Sequence, residues 1–283
     1  MAISITERRW FGVLVSGTLL GLLGLLGLLA LVAAAPASAQ EATQTDTEAA
    51  VQLPSVPGVI TPEAKAVLDR MQAAFKSIKR YQLNADITRD QLLAFGYKLQ
   101  YNETAQMWVD APKHLRLEVN GDIKNRIYVY DGSQLTMAVP DLNVYATAPA
   151  PGTLGELVHS LLDAGVEMPL IDMLYEGNAG SLTDNVRVGV LAGESQVDGV
   201  ATDHLAFRQA DVDWQLWVQK GEPALPRKLL ITTRYAVGDP QYQAILHWNL
   251  TPTIDANAFA YVPPAGATKI PYTSKLSADG GDK

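Results

Sequence analysis

The chain has 283 residues, a formal net charge of −8 and no cysteine. An acidic chain without a basic cluster lacks the electrostatic footprint of a nucleic-acid binder and is repelled by anionic membrane surfaces. The absence of cysteine excludes disulfides, thiolate metal sites, a Cys nucleophile and an acylated N-terminal cysteine, so stability must come from a packed core.

Arg8-Arg9 precede an uncharged, mostly apolar run from Trp10 to Ala35, and Ala37-Ser38-Ala39 follow. This is the layout of a secretory signal, with cleavage expected after Ala39 and a periplasmic destination. The run is also long enough for a membrane helix, which needs about 20 residues. An uncleaved inner-membrane anchor facing the periplasm, with Gly17, Gly21, Gly24 and Gly27 as a packing stripe, is therefore the alternative. Residues 40–60 are polar and then Pro/Gly-punctuated, and read as a linker. Residues 61–272 read as one domain and 273–283 as a disordered tail.

The domain opens with a helix. Thr61 is placed to cap it and Pro62 suits its first turn. Ala64, Val67, Leu68, Met71, Phe75 and Ile78 fall on one face at helical spacing. The period then changes to two: Leu115, Leu117 and Val119 alternate with His114, Arg116 and Glu118. Similar runs near 97–109, 126–130, 134–139, 186–192, 202–208, 214–218, 227–233 and 242–248, joined by Gly-containing turns, predict an antiparallel meander that curls into a barrel or part of one. Thr153-x-x-Glu156 has capping-box spacing and starts a helix carrying Leu154, Leu157, Val158, Leu161 and Leu162, with Gly165 as its stop. A second helical piece is expected at Pro169–Tyr175. The expected fold is α+β, a curved antiparallel sheet with helices on one face.

Catalytic patterns are missing from the sequence. His114, His159, His204 and His247 are far apart and form no metal-protease spacing. His204 follows Asp203 on a strand, where neighbours point to opposite faces. Asp211 and Asp213 lack the rest of a calcium loop. No enzyme, metal or cofactor is expected, with a hydrolase kept as the remote alternative.

Three segments, in order, resemble periplasmic lipoprotein carriers: Met107-Trp108-Val109-Asp110-Ala111-Pro112-Lys113-His114-Leu115, Tyr130-Asp131-Gly132-Ser133-Gln134-Leu135 continuing to Pro140, and Ala258-Phe259-Ala260-Tyr261-Val262-Pro263-Pro264-Ala265-Gly266. Asp203-His204-Leu205-Ala206-Phe207, Asp213-Trp214-Gln215-Leu216-Trp217 and Leu225-Pro226-Arg227-Lys228 are similar to one branch of that superfamily, predicted periplasmic proteins with a domain of unknown function. The resemblance implies an incomplete, half-open β-barrel with helices covering its concave face and an acyl chain held between them. The carriers place an arginine before the proline of the Trp-Val strand to hold the helical lid closed. Here Ala111 stands there, so either Arg116 takes over lid control from a neighbouring place or the lid is controlled differently.

On this reading Met107, Leu117, Met137, Leu157, Leu161, Leu162, Met168, Met173, Leu174 and Trp217 line a hydrophobic cavity. Read from their residue types alone they are ordinary core; the adaptable methionines and the resemblance favour the cavity. Trp214 and Trp217 differ by three positions, so at most one of them faces the cavity. The expected partner is a lipophile such as an acyl chain, with membrane contact only transient unless the N-terminal helix is retained. A filled core and an envelope protein partner form the alternative.

Overall fold

The computed structural model describes residues 58–255 and 257–272. The expected signal or anchor, most of the expected linker and the expected tail lie outside the described residues.

A two-residue strand, β1 (Val59–Ile60), precedes helix α1 (Pro62–Ser77). Six strands follow: β2 (Arg80–Leu92), β3 (Lys98–Asp110), β4 (His114–Gly121), β5 (Arg126–Tyr130), β6 (Gln134–Val139) and β7 (Val144–Pro149). Helices α2 (Leu154–Asp163) and α3 (Ile171–Asn178) interrupt them. The chain resumes as β8 (Val188–Val197), β9 (Val200–Arg208), β10 (Val212–Gln219), β11 (Pro226–Thr233) and β12 (Gln241–Asn249), and ends with β13 (Thr268–Lys269).

All thirteen strands form one sheet in the order β1-β8-β9-β10-β11-β12-β2-β3-β4-β5-β6-β7-β13. Pairing is antiparallel except at the two ends, where β1 and β13 add in parallel to β8 and β7. Among the described residues the end strands do not pair with each other, so the barrel stays half open. Each end is a two-residue strand that pairs with only two residues of its neighbour, so beyond Gly189 of β8 and Tyr145 of β7 those edges have no strand partner among the described residues.

Local chemistry sets the helix ends. The Thr61 hydroxyl accepts from the Ala64 N–H at 3.4 Å. The Thr153 hydroxyl accepts from the Glu156 N–H at 3.3 Å and donates to the Glu156 carboxylate at 2.8 Å. At the end of α2, Gly165 takes φ 66°, and the Val166 N–H reaches back to the Leu161 carbonyl at 2.9 Å. That backbone needs a left-handed residue, which glycine supplies without steric cost.

The sheet buries one face under the helices. Tyr81, Leu83, Ala85 and Ile87 of β2, Ala105, Met107 and Val109 of β3, and Leu115, Leu117 and Val119 of β4 point inward by strict alternation. They join the apolar residues of α1, α2 and α3 in one continuous core. The outer face of β4–β7 is crossed by the C-terminal segment: His114 stacks on Phe259 at 5.0 Å, and Tyr145 meets Tyr261 at 5.5 Å.

Several elements differ from the sequence expectation. Strands β2, β7 and β13 fall outside the runs read from the sequence. Residues 59–60, placed in the linker, instead pair with β8, with the Val59 N–H donating to the Arg187 carbonyl at 2.9 Å. The second helical piece starts at Ile171 rather than Pro169, because Leu170 takes a left-handed backbone (φ 61°) just before it.

Candidate functional site

The inner face offers an apolar floor built by strand register. Leu83 lies opposite Met107, Met107 opposite Leu117, Leu117 opposite Tyr128, and Tyr128 opposite Met137. One row of side chains thus runs across five strands, and the expected Met107, Leu117 and Met137 all belong to it. From above, Leu157 and Leu161 of α2, Met173 and Leu174 of α3, and Met168 between the helices are buried in the same core, with Leu162 packed at its margin.

Two expected residues lie elsewhere. Trp217 points to the outer face, stacked on His204 at 4.2 Å with the Lys228 ammonium 4.6 Å from its ring centre. Its neighbours Leu216 and Val218 face inward, as does Trp214, which stacks on Phe207 at 4.0 Å. Arg116 also points outward, since it alternates with the inward Leu115 and Leu117. There its Nε donates to Glu118 at 2.7 Å and its Nη1 to the Ala258 carbonyl at 3.1 Å. Arg116 thus bonds to the C-terminal segment on the face opposite the helices.

The side chains of floor and helices are buried against one another in one core. A cavity of about 20 Å³, bordered by Asp172, Trp214, Leu229 and Ile231, has room for a single water. A wider cleft of about 270 Å³ lies on the outer face between Arg116, Ile127, Val144 and Tyr261.

The helices are not held alike. On α1, Arg70 donates to Asp203 of β9 at 2.8 Å, and Lys220 lies 3.7 Å from the same carboxylate. The segment carrying α2 and α3 is tied at its margins: the Leu154 N–H donates to the Pro112 carbonyl at 2.7 Å, Tyr130 to the Pro151 carbonyl, and Tyr128 to the Glu167 carbonyl at 3.3 Å. On α3, Glu176 accepts from the Leu182 N–H at 2.6 Å, and Gln72 of α1 donates to Ser181 at 2.8 Å. Between these ties the contact is apolar except at the buried Asp172 of α3.

One end of the inner face is charged, and the sequence reading missed it. Glu103 is 5 % exposed; Arg89 Nε lies 3.0 Å and Arg126 Nη2 2.7 Å from the same Glu103 oxygen. Tyr242 lies opposite Arg89 in the register, and burial drives its hydroxyl pKa far up, with the Asp172 charge acting the same way. Burial pushes the Asp172 carboxyl up to about 6. Burial likewise raises Glu176, against the hydrogen bonds from Leu182 and Ser181. The signal was present in the alternation: Arg89 continues Leu83-Ala85-Ile87, and Glu103 precedes Ala105-Met107 in phase, so both face inward.

The histidines are dispersed. His159 Nε2 lies 3.2 Å from the Ala179 carbonyl, His204 Nε2 2.8 Å from Gln215, and His247 Nε2 3.3 Å from Asp86. Among the described residues no group of three or more His, Asp or Glu could hold a metal ion. No helix among them is long and apolar enough to cross a membrane.

The family model described as "Predicted periplasmic protein (DUF2092)" matches residues 64–273. No curated protein matches the chain. Solved structures similar to it include an uncharacterized conserved protein from Thermus thermophilus, 12% identical, covering 74% of this chain and 99% of that one with a TM-score of 0.43. LprF from Mycobacterium bovis is 13% identical over 70% of this chain and 98% of that one, with a TM-score of 0.43. A LolA superfamily protein from Nitrosomonas europaea is 11% identical over 70% and 97%, with a TM-score of 0.31. The chain belongs to the DUF2092 family of predicted periplasmic proteins.

Proposed function

We propose that this predicted periplasmic protein binds an acyl chain or similar lipophile between the inner face of its half-barrel and helices α2 and α3, as a carrier or sensor. The domain that does so is the half-barrel of residues 61–272, with β1 added at its edge. The observation that supports this most is the row Leu83–Met107–Leu117–Tyr128–Met137, an apolar floor roofed by helices that are tied down at their margins.

The interior as described is closed, so binding requires α2 and α3 to lift and the chain to replace their contacts with the floor. Methionines at 107, 137, 168 and 173 suit this, because their unbranched, polarizable side chains repack around a flexible ligand. Each buried CH₂ contributes about 0.8 kcal/mol, so a chain of roughly 14–16 carbons gains about 11–13 kcal/mol gross. Lid opening and lost ligand freedom reduce this to a reversible affinity. The reaction is pure binding, with no cofactor and no covalent step.

The test is uptake of a fluorescent long-chain fatty acid by the mature protein. Leu161→Trp and Met173→Trp fill the path of the chain and should weaken uptake at least about tenfold. Unchanged uptake in both would place the site elsewhere. The filled interior supports a second reading, an envelope interaction module that binds a protein partner and no lipophile. A mature N-terminus after Ala39 would favour the soluble carrier, and a retained N-terminal helix the tethered module.

A further inference from the structure

We propose that Arg89 and Arg126, at the charged end of the inner face, receive the acidic headgroup of an amphiphile, a carboxylate or phosphate, whose chain lies along the apolar floor. This inference rests on the lipophile reading above and names the class of ligand.

Three observations carry it. First, two arginines share one acceptor atom. Both guanidinium groups converge on one oxygen of Glu103, in a site where Glu103 is nearly inaccessible and the Arg126 side chain is 12% exposed, so a single carboxylate oxygen serves two forks. Second, the Nε of Arg126 is buried with no hydrogen-bond partner among the described residues. A buried guanidinium N–H without an acceptor is costly, and a ligand oxygen would satisfy it. Arginine's planar fork matches carboxylate and phosphate geometry.

Third, the position suits an amphiphile. Arg89 is two residues from Ile87, Glu103 two from Ala105, and Arg126 two from Tyr128, all on the inner face. A two-residue step along a strand is about 6.6 Å. The polar group and the apolar floor are thus adjacent. The Tyr128 hydroxyl donates to the Glu167 carbonyl in the connection between α2 and α3, so lifting the lid uncovers headgroup site and floor together.

The experiment compares palmitate with hexadecanol, and palmitoyl lysophosphatidate with monopalmitoylglycerol, on delipidated mature protein, with inorganic phosphate as a separate arm. Each acid should bind about tenfold tighter than its uncharged analogue, the worth of one charge-assisted hydrogen bond. Arg126→Gln should bring the acid's affinity down to that of the alcohol, and Arg126→Lys, which keeps charge but loses the fork, should restore part of the preference. Arg89→Gln provides the same reading if Arg126→Gln does not fold. Equal affinity for acid and alcohol in the unaltered protein, or a preference that survives both Gln substitutions, overturns the headgroup site and leaves the lipophile reading standing. Thermal protection by inorganic phosphate with no acid-over-alcohol preference would make this a free-anion site and overturns the headgroup assignment. Failure of all four amphiphiles to bind overturns both.

Discussion

The guanidinium of Arg126 lies 2.7 Å from a Glu103 carboxylate oxygen on a face that is otherwise almost wholly apolar. Taking ions out of water costs several kcal/mol each, and the pair is tolerable only while each partner has the other. Glu103→Ala would leave Arg89 and Arg126 facing each other without a counter-charge. It should cost about 3–5 kcal/mol in urea denaturation. A loss below about 1 kcal/mol would mean that water already solvates these arginines.

Asp172 makes stability depend on pH with a defined sign. Its folded pKa of about 6 lies above the usual carboxylate value, so the folded state holds the proton more tightly than the unfolded chain. Its contribution is therefore fully present below about pH 4 and is lost as pH rises through about 6. Asp172→Asn should raise stability at pH 8 by about 2–3 kcal/mol relative to the unaltered protein and leave the pH 4 value nearly unchanged. Glu176 shifts in the same direction, so the difference between variant and parent isolates Asp172. Denaturation midpoints at both pH values check this, and parallel curves would remove Asp172 from the account.

The lid's apolar grip is graded along α2. Leu161 is wholly buried, whereas Leu162 lies at the core margin. Leu161→Ala should cost about 2–5 kcal/mol and Leu162→Ala distinctly less. Equal losses would mean that α2 packs on a different face from the one described.

Arg116 serves the outer face. Arg116→Ala removes its bonds to Glu118 and the Ala258 carbonyl, and should cost less than about 1 kcal/mol. Lipophile affinity should not change, as titration of the variant with a fatty-acid probe would establish. Weaker retention of the ligand would return Arg116 to the lid.

Much of the fold was legible because it is written in periodicity and caps. Thr61, Thr153 and Gly165 mark helix ends by chemistry that needs no tertiary context, and Leu115-x-Leu117-x-Val119 can only be a strand with one buried side. Strand β2 carries the same alternation in Tyr81, Leu83, Ala85 and Ile87, but its outward Gln, Asn, Asp and Thr disguised it as a polar segment. Strand β7 pairs through the small Ala146 and Ala148, which give almost no hydrophobic signal. Whether a Leu or Met cluster encloses a cavity is set by how the side chains fill it, and sequence carries no such information. Trp217 shows the limit at one residue: spacing says only one of the two tryptophans faces inward, and the register of β9, β10 and β11 makes it Trp214. The Arg89–Glu103–Arg126 cluster escaped notice because its members are far apart in sequence and meet only when β2, β3 and β5 come together.

The most direct measurement is mass spectrometry of an organic extract from the protein purified gently from the compartment it occupies in the cell, followed by uptake of a fatty-acid probe. A bound amphiphile near one per protein, with uptake restored after its removal, is the predicted result. A ligand-free protein that also refuses the probe would contradict the account and leave a filled-core interaction module.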